Sequence, residues 1–258
     1  MARGAVVTLI AASLVVATGA QTAEVRVMSA GATAPAYLQL VPGFESKTRL
    51  KAVTLATSTG LGADAIVARV RGGEPVDVIF LAANVLDDLV NEGLVTAASR
   101  IDIARSSIGV AVRAGAPKPD VGSIDALKAA LLAARSIAIS AQISGVYLTS
   151  ELLPRLGIEA QVLPKIRRAE NEPAGNLVAR GEAEIGIQQI SELRAVRGVD
   201  YVGPLPAEVQ RVSTFAVGIA TKARNPAGAR ALIDLVTSPE GAAVMRQSGL
   251  DPIPRGRF

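Results

Sequence analysis

From residue 24 onward, short valine- and isoleucine-rich stretches alternate with stretches of helical periodicity. Residues 24–28 read as a strand, and residues 33–40 as the opening of a helix, with Thr33 as N-cap and Pro35 in the first turn. A strand is expected over 50–56. Ala63, Ile66, Val67 and Val70 then fall at i, i+3, i+4 and i+7, the apolar stripe of an amphipathic helix that Gly72-Gly73 would end. Residues 76–81 form a nearly unbroken apolar run, as in a strand covered on both faces. Asn84 is the expected N-cap of a helix carrying Leu86, Leu89 and Val90 and closed by Gly93.

Residues 107–113 alternate in character and lead into the Pro/Gly-rich segment 114–122, so this strand reads as a first crossing into a second lobe. The expected elements of that lobe are a helix over 125–134, a strand over 136–140 and a helix over 145–156. A strand at 161–163, a helix over 174–180 and a strand over 184–188 follow. Residues 212–221 are a second long strand and the natural return crossing. Asn225-Pro226 and Ser238-Pro239-Glu240 each pair an N-cap with a proline at the first helical position, and Gly249 lies just past the second helix. The expected division is therefore an α/β molecule with a discontinuous first lobe, 24–106 and 222–258. The second lobe, 107–221, would include both hinge strands. Two crossings favour hinge closure around a ligand.

What precedes residue 24 differs in kind. Arg3 gives a positive start, residues 4–17 are apolar and uncharged, and Thr18, Gly19 and Ala20 lead to a polar break at Gln21 and Glu24. Residues 1–23 read as a secretory signal peptide cleaved after Ala20 or Ala23, which places the mature protein in the periplasm. The apolar run is shorter than the ~20 residues that span a bilayer.

Composition narrows the chemistry. The 258 residues contain no cysteine and no histidine, which removes thiolate chemistry, Ser-His-Asp triads and the commonest metal ligand. No metal and no cofactor are expected. A formal charge of +4 with dispersed basic residues and 3% aromatics offers no platform for nucleic acid, but a modest positive field helps gather small anions. The chain is expected to act as a monomer.

Four polar turns lie between strand ends and helix starts. They are Ser29-Ala30-Gly31-Ala32-Thr33, Thr57-Ser58-Thr59-Gly60, Gln142-Ile143-Ser144-Gly145, and Gln188-Gln189 with Ser191. Open α/β sheets bind ligands at the carboxyl ends of their strands, where helix N-termini present free N–H groups that favour anions. The same residue types serve ordinary capping, which is the commoner explanation for any single turn. Four such turns divided between two lobes point to binding of a small anionic solute. Ser58, Thr59, Ser144, Tyr147 and Gln189 are the expected side-chain contacts, beside the Gly60 and Gly145 backbones. The dinucleotide-like Gly60-Leu61-Gly62-Ala63-Asp64-Ala65 is a weaker signal. Its would-be ribose acid, Asp77, reads as the interior of a buried strand, and an exported protein meets no nicotinamide pool.

At residues 25–33, Gly73-Glu74-Pro75-Val76-Asp77-Val78-Ile79, Ser144-Gly145-Val146-Tyr147, 181–187 and Ser238-Pro239-Glu240-Gly241-Ala242-Ala243, the chain resembles the molybdate-binding-protein-like group of periplasmic solute-binding proteins. The resemblance implies the type II periplasmic binding protein fold, two interlobe hinge strands, a ligand in the cleft and an ABC importer as membrane partner. It also implies departures from molybdate: Ala32 stands where molybdate binders carry serine, and Gln189 where they carry tyrosine. The amides of the 188–192 turn suit a carboxylate better than a bare tetrahedral oxyanion. A related branch includes a periplasmic aconitate isomerase, which makes a tricarboxylate a ligand class and cis–trans isomerisation the alternative function. That reaction needs only an allylic proton transfer. Tyr37, Asp64, Tyr147 and Glu192 are the candidate bases. Each also has an ordinary role, Asp64 and Glu192 as solvated acids at helix starts and the tyrosines as core or lining residues.

Overall fold

Val25 and Val27 point to one side of the first strand, β1 (Glu24–Ser29), and Met28 and Ser29 are enclosed on both sides, as the period of two and a central position require. The structure, a computed structural model, describes residues 24–56 and 65–254. The expected leader, 1–23, and the turn Thr57-Ser58-Thr59-Gly60 with Asp64 lie outside the described residues.

Helix α1 (Ala34–Thr48) follows β1 and buries Tyr37, Leu40 and Phe44 along one stripe. Then come β2 (Lys51–Ala56), α2 (Ile66–Arg71), β3 (Val78–Ala82), α3 (Ala83–Asn91) and the long β4 (Ile101–Arg113). The next elements are α4 (Ile124–Ala133), β5 (Ile137–Ser140), α5 (Ile143–Tyr147), a π-helical turn Leu148–Leu152, α6 (Leu153–Leu156) and α7 (Glu159–Val162). β6 (Ile166–Ala169), α8 (Ala174–Ala179), β7 (Ile185–Gln189), α9 (Ile190–Ala195) and β8 (Val199–Pro204) complete this region. β9 (Val212–Ile219), α10 (Pro226–Val236), α11 (Pro239–Ser248) and the short β10 (Asp251–Pro252) end the described chain. No helix among the described residues is long and apolar enough to cross a membrane.

The strands run in the order β2-β1-β3-β9-β4-β7-β5-β6, with β8 and β10 also paired to β4. β1 is parallel to β2 and β3, and β5 is parallel to β6 and β7. β4 serves both sides of the molecule. Its first half, through Ser107, pairs with β9, and its second half, from Ile108, pairs with β7 and β8. Gln210 straps this seam, accepting from the Ile108 N–H at 2.8 Å and donating to the Ile108 carbonyl at 2.9 Å. β9 joins β3 and the first half of β4 along its length, and its Phe215 and Val217 pack with Val27, Ile79, Leu86 and Leu232. A second core gathers Ile108, Leu127, Leu131, Ile137, Leu152 and Ile187. Each such side chain contributes about 1.5–3 kcal/mol relative to exposure, so each side of the molecule has a core of its own.

The local signals at the last helices hold. The Asn225 side chain accepts from Gly228 N at 2.9 Å, the Ser238 hydroxyl accepts from Gly241 N at 3.1 Å, and Gly249 is left-handed at φ 89°. Two expectations are corrected, and two details are added. Asn84 lies inside α3, which follows β3 without a gap, so Ala82 takes the N-cap position. Residues 161–163 are not a strand: Val162 is the buried residue of α7, Glu159 and Gln161 face solvent, and the strand comes later as β6. β8 was unexpected because its half-buried, Gly-Pro-terminated sequence lacks an apolar run. Thr33 occupies the N-cap of α1 without a side-chain cap bond, because its hydroxyl donates backwards to the Ala30 carbonyl at 3.0 Å.

Asp77 is a structural clamp. Its carboxylate accepts the N–H groups of Arg26 (2.7 Å), Arg224 (2.7 Å) and Asn225 (2.9 Å), tying β1 to the approach of α10. It lies just before β3, at the end remote from Ala82, so no ribose-binding role is open to it.

Candidate functional site

The carboxyl ends of β1 and β3 on one side and of β5 and β7 on the other open onto two adjoining chambers of about 260 and 230 Å³. Gly31, Gln142 and Glu192 line both chambers and form the partition between them. Pro35, Leu38, Asn171 and Glu172 bound the first chamber. The second is walled by Leu81, Val85, Ile143 and Phe215, with Ser140, Ser144 and Gln189 as polar groups. No lysine or arginine lines either chamber among the described residues.

In the turn after β1, Ser29 and Thr33 are buried and satisfied within the turn. Thr33 donates to the Ala30 carbonyl at 3.0 Å, and the Ser29 hydroxyl donates to that of Thr33, 3.0 Å away. They do not line the cleft, which receives only the small residues Ala30, Gly31 and Ala32. In the turn after β5, the Ser140 hydroxyl accepts from Gln142 N at 3.0 Å, and buried Ser144 faces the second chamber. A Cβ on Gly145 would sit 1.7 Å from the Ser140 carbonyl, so this approach of helix to strand needs glycine.

The junction where β7 runs directly into α9 carries longer side chains. Gln188 accepts from Ala174 N at 2.7 Å and donates to Glu192 Oε2. Gln189 accepts from the Ser106 hydroxyl of β4 at 2.7 Å. Ser191 reaches across the cleft and donates to the Ala32 carbonyl at 2.7 Å. Glu192 is only 8% exposed, and a Cβ on Gly31 would stand 2.9 Å from its Oε1. The expectation of a solvated helix-start acid is therefore reversed. Burial pushes the Glu192 carboxyl up to about 8, because desolvation penalises the charged form and no cation among the described residues offsets it. Glu172, at the rim of the first chamber, behaves oppositely: the Arg180 guanidinium and the Asn176 amide hold it down at about 2. One wall thus holds a neutral acid deep in the cleft and a charged one at its edge.

Both tyrosines point away. Tyr37 packs on Phe80 with ring centroids 5.6 Å apart, and its hydroxyl meets Thr54 Oγ1 at 3.1 Å. Tyr147 donates to the Val209 carbonyl at 2.7 Å, beneath the Arg211 guanidinium. Burial raises the pKa of both phenols. Of the candidate bases, Glu192 alone reaches the chambers among the described residues; Asp64 lies outside them. Gln142 and the apolar wall went unrecognised as contacts. Gln142 belongs to one of the four polar turns, whereas Leu81, Val85 and Phe215 read in sequence as ordinary core. Among the described residues no cluster of Asp, Glu, His or Cys could hold a metal ion.

Comparison with known proteins agrees with this architecture. Residues 25–251 match the model of a family described as bacterial extracellular solute-binding protein. An aconitate isomerase from Pseudomonas sp is 40% identical over 229 residues, covering 88% of this chain and 87% of that one. The periplasmic molybdate-binding protein of Azotobacter vinelandii superposes with a TM-score of 0.73 at 23% identity, over 90% of this chain and all of that one (100%). The sulfate-binding protein SubI of Mycobacterium tuberculosis gives 0.63 at 16% identity, over 89% and 87%. At these identities the two structures establish the fold: two α/β lobes of the type II periplasmic binding protein class.

Proposed function

The chain belongs to the bacterial extracellular solute-binding protein family, and on that premise we propose that it captures a small organic di- or tricarboxylate in the interlobe cleft. One observation carries the choice of ligand: Glu192, held neutral by burial to about pH 8, borders the second chamber, whose other walls are largely apolar. A neutral carboxyl donates its O–H to an anionic oxygen, whereas an ionised one would repel it. Leu81, Val85, Ile143 and Phe215 suit a carbon skeleton, whereas a tetrahedral oxyanion would have to be wrapped in donors on all sides. In this reading residues 1–23 are the leader of a periplasmic protein that acts as a monomer and delivers its ligand to an ABC importer.

A thermal-shift series with mono-, di- and tricarboxylates, molybdate and sulfate tests the proposal. The carboxylates are expected to stabilise by RT ln(1 + [L]/Kd), about 2.7 kcal/mol at a hundredfold excess over Kd. Stabilisation by molybdate or sulfate alone overturns it.

Turnover is the second reading, favoured by the Pseudomonas relative and by the same glutamate. For aconitate, a base removes a proton from the methylene carbon, and the C–H electron pair becomes a new double bond to the central carbon. The old alkene carbon then takes up a proton, so composition is unchanged and no oxidant or cofactor enters. A carboxyl that titrates near neutral pH can serve as both base and acid. Chromatography of cis-aconitate incubated with the protein decides this reading. No trans isomer above the buffer control leaves binding alone.

A further inference from the structure

The Gln188 amide is held at both ends. The Ala174 backbone N–H can only donate, so the Gln188 atom 2.7 Å from it is the oxygen. The amide nitrogen therefore faces Glu192, and because an NH₂ group only donates, Oε2 of Glu192 must accept. The other oxygen, Oε1, lies 2.9 Å from the place where a Cβ on Gly31 would stand and Oε2 3.1 Å from it, at the partition between the chambers.

We propose that Gln188 is a positioning residue that keeps Oε2 of Glu192 as an acceptor and thereby leaves the carboxyl proton on Oε1, aimed into the cleft. Resting on the carboxylate reading above, this gives the ligand an O–H donor of one fixed direction. It also assigns Gln188 to Glu192 and not to the ligand. The surroundings leave few competitors. Across from Glu192 the turn at Ala30, Gly31 and Ala32 carries no titratable side chain, and neither does the segment from Ser140 to Ser144. From the α8 side, Glu172 is paired with Arg180. On α9 itself, Arg194 lies over the Tyr201 ring at 5.0 Å. Gln188 is bonded to one of the two oxygens of Glu192 and so sets them apart.

The Gln188 N–H bond also favours the ionised form of Glu192, because a donated hydrogen bond stabilises a carboxylate more than an acid. Removing it should raise the pH at which Glu192 titrates. The experiment uses ligand-free protein carrying ¹³C-carboxyl-labelled glutamate, with the Glu192 signal assigned by its loss in Glu192→Gln. In Gln188→Met the inflection should move up by about one pH unit. Gln188→Glu keeps an acceptor for Ala174 N and so guards against simple misfolding. It sets two carboxyls together, and the upper inflection of that pair should also rise. In Gln188→Met a merely structural Gln188 would lower the melting temperature and leave the inflection where it is, and an unchanged or lowered inflection in that variant overturns the assignment. Carboxylate binding by the unaltered protein separates the two proposals. Binding with an unmoved inflection defeats only the role of Gln188, and a moved inflection without carboxylate binding defeats only the ligand reading.

Discussion

The turn after β1 and the junction of β7 with α9 face each other across the cleft and are both polar, yet they do opposite things. In the first, Ser29 and Thr33 spend their hydroxyls on each other and on the Ala30 carbonyl, and the cleft receives only small residues. In the second, Gln188, Gln189, Ser191 and Glu192 reach respectively to α8, β4, the opposite lobe and the partition between the chambers. One turn supplies room and the other supplies chemistry. The two are complementary at one point, where the missing side chain of Gly31 makes space for the carboxyl of Glu192. Polar composition alone therefore does not identify a binding turn; the length of the side chain and the availability of a local partner decide it.

The largest expected effect tests the side that carries the chemistry. The folded protein keeps the Glu192 proton up to about pH 8, whereas the unfolded chain releases it near 4.5. Between these values the folded state binds more protons, so stability falls as pH rises and levels off above 8. The loss is roughly 3–5 kcal/mol over that window, as an upper range for a buried carboxyl. Glu192→Gln has no proton to lose. Urea denaturation from pH 5 to 8 should show the variant gaining on the unaltered protein throughout, and parallel pH profiles would mean that Glu192 is solvated after all.

Next comes the side that supplies room. Gly31→Val puts a branched side chain where the Glu192 carboxyl lies, and overpacking of this kind costs about 1–3 kcal/mol. Carboxylate affinity should drop on the order of a hundredfold by calorimetry, the upper end of that cost. Normal binding would show that the two turns do not meet in solution as they do here.

The smallest effect sharpens the contrast within polar residues. Ser191→Ala removes the bond across the cleft and should weaken ligand binding by about 0.5–1.5 kcal/mol. Thr33→Val removes a hydroxyl bonded only within its own turn, so it should lower the melting temperature and leave affinity alone. Equal losses of affinity in the two variants would erase the distinction between the turns.

Local signals were read correctly where their partners lie within a few residues. Asn225 and Ser238 cap α10 and α11 through bonds three residues ahead, and Gly249 ends α11 in a left-handed conformation. The strands β1, β3, β5, β7 and β9 are recognisable from their valine- and isoleucine-rich stretches. The segment at 161–163 misled because one buried valine between exposed residues fits a helical turn as well as a strand. Tyr37 and Tyr147 misled as site candidates because a phenol needs one hydrogen-bond partner when buried, and each found it elsewhere, at Thr54 and Val209.

What the sequence by itself determined was the alternation of strands and helices, the placing of polar turns at strand ends, and the absence of histidine and cysteine chemistry. Periodicity, capping and composition are properties of short stretches, so they survive without knowledge of the fold. Only the tertiary structure decided which turn turns inward and which reaches out, and that Glu192 is buried and proton-holding. Desolvation depends on what the rest of the chain places against a group. Ser191 and Ala32, joined across the cleft, are 159 residues apart, and no local pattern near Glu192 announces that the glycine opposite it will shut out water.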